Sequence, residues 1–279
     1  MVKFIHAADV HLGITYAGVG KNQKEIAREL KQAAFDAFER VIDTAIEEEV
    51  DALVLAGDLL DSSRTFVKEK LFLQSQLNRL APFGIPVIVA LGNHDAESAY
   101  VSGEHIYTLG SAVETIEVET RNGDRVAFSG FSYEVPVVAT RKVQEYPAKS
   151  ANCDVHIGVL HGELTTAQGR YAPFSIPELK EKGYNYWALG HIHTCQEVSS
   201  QPCAWYSGTT QGADRKESGP KGALLVEILP GKAPEVSFIE TSTMDWMEVE
   251  LAISETDRLE TLPYLIVEAL PNPSKRSLV

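Results

Sequence analysis

The sequence predicts an α/β fold, a four-layer αββα sandwich in which two mixed sheets pack face to face with helices outside. Two observations lead to this prediction. In the first hundred residues, apolar runs of strand length alternate with helical patterns, which is typical of parallel strands joined by crossover helices. After about Ala112 short strands predominate, so the remainder of the chain is expected to supply most of a second sheet.

The first half of the sequence alternates strands with helices. Apolar residues recur at helical spacing over 25–49, whereas 52–56 has the length and composition of a buried strand. A second helix is predicted to begin at an N-cap, Thr65, and to end before Pro82 and Gly84. The predicted elements of this half are strand 2–8, helix 25–49, strand 52–56, helix 65–80 and strand 86–91.

The second half is predicted to be rich in strands. Asn122-Gly123 between two strand-like segments indicates a hairpin that joins 113–119 to 125–131. The last core strand should end near Thr241, which predicts one domain over 1–241 and an appendage, or the beginning of a longer domain, over 242–279. The other predicted elements are strands 153–160, 186–189, 204–206, 223–229 and 235–240, a helix over 176–182, a strand-like segment over 247–252 and a frayed tail from 271.

The composition restricts the classes of function. The net charge of −14, from 39 acidic and 25 basic residues, argues against a protein that binds DNA through a basic face. It does not exclude an enzyme whose bound cations hold a phosphate group. The sequence has no apolar run of about 18 residues, no signal-peptide pattern, and three cysteines without a C-x-x-C pair. We therefore expect a cytoplasmic protein with free thiols and no membrane association.

Five short polar motifs stand at the ends of predicted strands, each within two residues of an apolar run. In an open α/β sheet, ligands bind in the crevice beyond the carboxyl ends of the strands, so loops from five strands can converge there. The motifs are Asp9-Val10-His11, Gly57-Asp58, Gly92-Asn93-His94-Asp95, His161-Gly162 and Gly190-His191-Ile192-His193.

The residue types in these motifs suit a pair of metal ions. Setting His94 and Asp95 aside, the motifs offer two carboxylates, one amide oxygen and four imidazoles. Imidazole combined with carboxylate favours manganese, iron or zinc over magnesium or calcium. Seven ligands are too many for one catalytic ion with open positions, but they suit two ions that share a bridging carboxylate. Such a pair can clamp a phosphate and deliver a hydroxide in line with the leaving oxygen.

Several polar residues near these motifs are interpreted as structural. A single histidine at a strand end is usually a partly exposed polar residue, so only the joint pattern supports metal binding. His6 and His156 lie within apolar strands and are predicted to be buried in the core. His105 is predicted to lie, solvated, on a helix, and Asp61 to cap its loop or support the site from outside.

The order D-x-H, G-D, G-N-H-D, H and G-H-x-H resembles the signature of calcineurin-like metallophosphoesterases. The resemblance covers roughly residues 1–240, and five motifs in this order are far more specific than any one of them. The roles that it implies are Asp9, His11 and His193 for one ion, Asn93, His161 and His191 for the other, Asp58 as the bridge, His94 as an unmetallated proton donor at the leaving group, and Asp95 as the residue that orients His94.

Short segments favour one branch of this superfamily. Protein serine/threonine phosphatases share G-D-x-x-D-R-G, but here Asp61 is followed by Ser62-Ser63, so the arginine that would grip a phosphate is absent from that place. SbcD and the meiotic-recombination nucleases are a closer match. The segments that resemble them are 4–13, 50–61, 184–193 and 206–212.

The SbcD-like resemblance implies a DNA repair exonuclease that uses two divalent ions, with manganese favoured over iron or zinc. It also implies DNA as the substrate, an SbcC-like ATPase as a partner and a homodimer. Those nucleases continue into a capping domain that helps seat DNA, so 242–279 would be the start of such a cap.

Two other functions stay open. One is a small-molecule or nucleotide phosphodiesterase or phosphatase using the same site, and the other is a non-catalytic scaffold, which the complete ligand set disfavours.

Overall fold

The computed structural model describes residues 1–14, 24–61, 67–96, 101–253, 258–270 and 276–278, with the backbone alone for 24 and 276–278. The predicted N-cap Thr65 lies outside these residues, as does most of the predicted tail. In chain order the elements are β1 (Val2–Ala7), α1 (Lys24–Glu47), β2 (Ala52–Ala56), α2 (Val67–Asn78), β3 (Val87–Ala90), β4 (Ile106–Thr108), β5 (Glu114–Glu119), β6 (Arg125–Gly130), β7 (Val155–His161), α3 (Ile176–Lys182), β8 (Tyr186–Gly190), β9 (Gln196–Ser200), β10 (Cys203–Tyr206), β11 (Gly222–Ile228), β12 (Glu235–Glu240), β13 (Met244–Trp246), α4 (Leu262–Ala269) and β14 (Arg276–Leu278).

Two six-stranded mixed sheets form the centre of the fold. The first has the order β12-β11-β1-β2-β3-β4, in which β1 to β4 run parallel and β11 pairs antiparallel with both β1 and β12. The second has the order β5-β6-β7-β8-β10-β9, in which β6, β7, β8 and β10 run parallel between two antiparallel edge strands. The predicted hairpin is the antiparallel pair of β5 and β6.

The sheets pack against each other, and helices cover their outer faces. Alternate residues of a strand point to opposite sides of its sheet. In β2, Val54 packs between the sheets, whereas Leu53 packs on the outer side in the same cluster as Phe38 of α1. In β8, Trp187 packs with Leu179 of α3 on the outer side of the second sheet. This arrangement confirms the predicted four-layer αββα sandwich.

Some predicted elements differ from the structure. The prediction that His105 lies on a helix is wrong, because His105 occupies a turn with a φ of +62° immediately before β4. The strand expected over 247–252 is also wrong: the strand here is β13, which ends at Trp246 and pairs in parallel with β14. The sequence pattern does not predict β4, β9, α4 or β14, and β14 lies within the predicted frayed tail. β4 has only three residues, and β9 is a largely polar edge strand.

Burial confirms that His6 and His156 belong to the core. His6 lies between the sheets, where its Nδ1 is 3.0 Å from the hydroxyl oxygen of Tyr186 and its Nε2 is 3.2 Å from the carbonyl oxygen of Leu189. His156 stacks on Tyr184 with ring centroids 3.9 Å apart. The His6 contacts tie β1 of the first sheet to β8 of the second, just before the motif residues of each strand.

The described residues also bear on the predictions about thiols, membranes and domains. Cys153, Cys195 and Cys203 are free thiols. Within the described ranges, no helix combines the length and apolar character that crossing a membrane requires. The last strand of the sandwich, β12, ends at Glu240. The boundary between domains 1–241 and 242–279 stays a prediction.

Candidate metal centre

The five motifs meet at one edge of the sandwich. They follow β1, β2 and β3 in the first sheet and β7 and β8 in the second, so each sheet supplies part of the site. Several contacts join the halves, among them two that involve backbone groups. The ring Nδ1 of His161 donates to the carbonyl oxygen of Ala56 at 2.9 Å, and the backbone N–H of His191 donates to the Asp9 carboxylate at 3.0 and 3.1 Å.

Asp9, His11 and His193 form the first cluster of ligand atoms, all lying within 4.8 Å of one another. The Nε2 atoms of His11 and His193 face each other at 3.1 Å. Oδ1 of Asp9 is 3.8 Å from Nε2 of His193 and 4.0 Å from Nε2 of His11. The structure therefore brings together the three residues expected to hold one ion.

A second cluster lies beside the first. Asp9, Asp58 and His161 bring their ligand atoms within 4.8 Å of one another, and Oδ1 of Asn93 is 3.1 Å from Nε2 of His161. Oδ2 of Asp58 is 3.3 Å from Nε2 of His161 and 3.8 Å from Nε2 of His11. One carboxylate oxygen therefore lies between ligands of the two expected ions.

These distances fit divalent ions. Imidazole and carboxylate ligands bind such an ion at about 2.1 Å, so ligand atoms of one ion lie about 3.0 to 4.2 Å apart, depending on the angle between them. The separations in both clusters, from 3.1 to 4.0 Å, fall in that range. The donor set of imidazole, carboxylate and one amide oxygen also matches the preference of manganese, iron and zinc.

Backbone strain is concentrated at this site. Positive φ angles, which L-residues rarely adopt, occur at Asp9 (+51°), His11 (+48°), Asp58 (+54°) and His191 (+102°). Each such residue costs about 1–3 kcal/mol and persists only where the surrounding structure imposes it. Here Thr209 contributes a hydroxyl that donates to the carbonyl oxygen of Asp9 at 2.7 Å. The strain turns successive side chains toward the two clusters.

The glycines of the motifs are required by close packing. A Cβ atom added to Gly57 would overlap the ring of His161, and one added to Gly92 would overlap the carboxylate of Asp58. Gly57 also has a φ of +93°. Gly57 therefore lets His161 of the second sheet come close, and Gly92 lets Asp58 come close from the loop after the neighbouring strand, β2.

The site concentrates negative charge away from water. Burial raises the pKa of Asp9 to about 6, although the charges of His161 and His193 oppose the rise. Burial and the charge of Asp58 raise the pKa of Asp95 to about 7. Burial opposes ionisation of Asp58, but the charge and hydrogen bond of His161 outweigh it and hold the Asp58 pKa below its usual range. Buried carboxylates need compensating positive charge, which divalent cations would supply.

Asp61, rather than Asp95, contacts the ring of His94. The Nδ1 atom of His94 is 3.3 Å from Oδ1 of Asp61, and this hydrogen bond raises the His94 pKa. Asp95 is fully buried and accepts hydrogen bonds from the backbone N–H groups of Leu59, Leu60 and Gly92. The expectation that Asp95 orients His94 is therefore wrong. Asp95 instead fixes the loop that follows β2, and Asp61 takes the supporting role expected of it.

His94 and His191 lie at the margins of the two clusters. The His94 side chain is 42% exposed, and its ring lies 5.0 Å from that of His11. Ligand atoms of His11, Asp61 and His94 also come within 4.8 Å of one another. The pairing of His94 with Asp61 and its exposure suit a proton donor better than a ligand. The ring of His191 packs 5.3 Å from that of His161, on the side of the second cluster.

Two residues at the site were not singled out from the sequence. Glu217, in the loop before β11, contacts Nδ1 of His193 through its carboxylate. Tyr171, in the loop after β7, packs its ring 4.7 Å from that of His191. Neither residue belongs to a strand-end motif, and both reach the site through loops whose course the residue pattern does not predict.

Comparison with known proteins assigns a family and several relatives. Residues 2–195 match the family described as calcineurin-like phosphoesterase. The uncharacterized metallophosphoesterase YhaO of Bacillus subtilis is 33% identical over 285 residues, which cover 98% of this chain and 68% of that protein. The DNA double-strand break repair protein Mre11 of Haloferax volcanii is 29% identical, covering 91% of this chain and 56% of that protein. Mre11 of Aeropyrum pernix is 26% identical, covering 91% and 64%. The chain thus spans somewhat over half the length of these Mre11 proteins.

Proposed function

Because the chain belongs to the calcineurin-like phosphoesterase family, we propose that it is a two-metal phosphodiesterase that cleaves DNA. The family and the candidate ligands support a metal-dependent hydrolase of phosphoesters. The observation that carries the two-metal proposal is the position of Asp58, whose Oδ2 lies 3.3 Å from Nε2 of His161 and 3.8 Å from Nε2 of His11. That oxygen can serve both ions.

Each ion would be held by one cluster. Asp9, His11 and His193 would bind the first, and Asn93, His161 and His191 the second, with Asp58 shared. When bound, the two ions would neutralise the phosphate and activate a water molecule for in-line attack. Manganese is proposed over iron and zinc from the resemblance to SbcD.

The residues of the chain would supply orientation and proton transfer. Asp58 is fixed by the backbone N–H of His94, which donates to its Oδ1 at 2.8 Å. The His94 side chain is 42% exposed, and its hydrogen bond with Asp61 supports its protonated form. His94 can therefore donate a proton to the leaving oxygen. Asp95 would act at a distance, by fixing the loop that carries Asp58.

The DNA substrate rests on similarity rather than on the charge of the protein. The Mre11 relatives are described as DNA double-strand break repair proteins, and the match extends over 91% of this chain. A net charge of −14 gives little general attraction for a polyanion. That charge favours a second candidate, a small-molecule or nucleotide phosphodiesterase with the same centre.

Purified chain incubated with manganese separates the two functions. The substrates are end-labelled single-stranded and duplex DNA, a set of cyclic and linear nucleotides, and the activated diester bis-p-nitrophenyl phosphate. We expect cleavage of the activated diester and of DNA, both abolished by chelation. Efficient turnover of a nucleotide, with no DNA cleavage under any divalent metal, would establish the second candidate in place of the first.

A further inference from the structure

Within the proposed two-metal site, on which this inference rests, we infer that Glu217 is a positioning residue for His193. Its carboxylate contacts Nδ1 of His193, while Nε2 of the same ring faces Nε2 of His11 at 3.1 Å. A carboxylate on Nδ1 places the proton there and leaves the lone pair of Nε2 free for a metal. Glu217 would thus set both the tautomer and the direction of the ligand.

His193 needs this support more than the other ligands of its cluster. Its side chain is 35% exposed, compared with 5% for His11 and 0% for Asp9. An exposed ring can rotate, whereas His11 is confined by packing and its Nδ1 has no hydrogen-bond partner among the described residues. In the second cluster, His161 is fixed by the carbonyl oxygen of Ala56. Glu217 supplies the equivalent restraint for His193.

The loop that carries Glu217 is itself anchored. The backbone N–H of Ala213 donates to Oε2 of Glu217 at 2.5 Å, so the carboxylate is held on both of its oxygens. The side chain of Gln211 is buried and bonds to the backbone of β13, with its Nε2 2.6 Å from the carbonyl oxygen of Met244. The indole N–H of Trp246 donates to the carbonyl oxygen of Gly212 at 3.2 Å. Glu217 therefore contacts His193 from a loop that hydrogen bonds to β13 hold in place.

The test is the manganese affinity of Glu217→Gln, measured by titration of the metal-free protein. Removing a carboxylate that supports a metal ligand typically weakens metal binding about 10–100-fold. We expect a loss of that size for one ion and little change for the other. Glu178→Gln is the matched control, because Glu178 also accepts several hydrogen bonds, from Arg141 and Ser175, but lies at the start of α3. It should bind both ions as the wild type does.

A double-mutant cycle distinguishes positioning from general support of the loop. In a His193→Gln background, a positioning residue has nothing left to orient, so Glu217→Gln should weaken manganese binding little further. Additive losses, accompanied by a lower Tm of the metal-free Glu217→Gln protein, would overturn the inference. If Glu217→Gln does not fold, Glu217→Asp takes its place in the cycle.

The outcomes also separate this inference from the proposed function. Wild-type protein that binds no manganese would remove the two-metal site itself. Wild-type protein that binds two ions, together with Glu217→Gln that binds them equally well, would overturn only the role of Glu217.

Discussion

Individual side chains at the candidate centre combine burial with charge, an arrangement that is unfavourable without a counter-ion. Asp9 and Asp58 are almost completely removed from water, and strained backbone holds both of them in place. Neither feature benefits a protein core. Both are understandable if a divalent cation is bound in each of the two clusters.

Asp58 offers the most informative single substitution. We predict that Asp58→Asn lowers metal occupancy at both positions, because one oxygen lies next to ligands of each cluster and the amide is a weaker ligand. Elemental analysis of the variant beside the wild type measures this. Loss of one ion with full retention of the other would show that Asp58 does not bridge.

His94 should separate catalysis from metal binding. We predict that His94→Gln keeps both ions and loses about 10²–10⁴-fold in turnover, the usual contribution of a general acid. The matched variant is His193→Gln, which should lose metal. The assigned roles would be reversed if His94→Gln lost metal while His193→Gln kept it.

At the scale of elements, the topology of the two sheets determines where the candidate ligands lie. Parallel strands β1, β2 and β3 of one sheet and β7 and β8 of the other end at the same edge, so five loops converge. His6 joins the two sheets just behind that edge through Tyr186 and Leu189. The geometry of the site therefore depends on the packing of one sheet against the other.

The His6 link makes stability depend on pH. Burial lowers the pKa of His6 from 6.5 to about 3, so between these values the unfolded chain binds a proton that the folded chain does not. The free energy of unfolding should therefore fall as pH decreases from 6.5, by up to about 1.4 kcal/mol per pH unit from this residue.

Denaturant unfolding of metal-free protein between pH 7 and pH 4 tests this dependence. His6→Gln, which keeps hydrogen-bonding groups but does not titrate, should show the shallower dependence on pH. Parallel curves for the wild type and His6→Gln would contradict the prediction.

The sequence predicts those elements whose spacing of apolar residues matches the residues that are buried in the fold. The spacing of apolar residues in α1 reflects its one buried face, and the apolar runs of β2 and β3 reflect strands that are buried on both faces. The Asn-Gly turn fixes the β5–β6 hairpin. β4 and β9 lack that signal because they are short or polar edge strands. Helix α4 also escapes prediction, since its exposed residues, such as Tyr264 and Val267, do not form an amphipathic pattern with one buried face.

In the candidate site, too, some features can be predicted from the sequence and others cannot. Its strand-end motifs are local in sequence, so the residues that converge can be predicted from their spacing. Asp61 and Glu217 support histidines 33 and 24 residues away in sequence, and these pairings depend on loop conformation. The misassignment of Asp95 has the same cause, because the hydrogen bonds of Asp95 go to the backbone of Leu59, Leu60 and Gly92 rather than to its neighbour in sequence, His94.

For the molecule as a whole, the acidic surface should limit how it engages DNA. We predict that the 279-residue chain binds duplex DNA weakly, with affinity that falls as salt rises, because a net charge of −14 gives little general attraction for a polyanion. Fluorescence anisotropy at several salt concentrations measures this. Tight binding that does not respond to salt would contradict the account.

The relatives suggest where further DNA affinity would come from. We propose that a longer version of the chain, or the chain supplied with an SbcC-like ATPase, binds and degrades DNA better, and that the protein forms a homodimer. The contribution of a longer chain rests on Mre11 relatives that exceed this chain in length, whereas the ATPase partner and the homodimer rest on the resemblance to SbcD-like nucleases. Comparison of the two lengths on the same duplex would test them, and equal activity would count against a contribution from a cap.

We propose that seven side chains hold two divalent ions, with Asp58 shared between them. The most direct measurement is the metal content of wild-type protein after mild purification and again after manganese titration. We predict two ions per chain once manganese is saturating. A content well below one ion per chain, which does not rise on addition of manganese, would contradict the account.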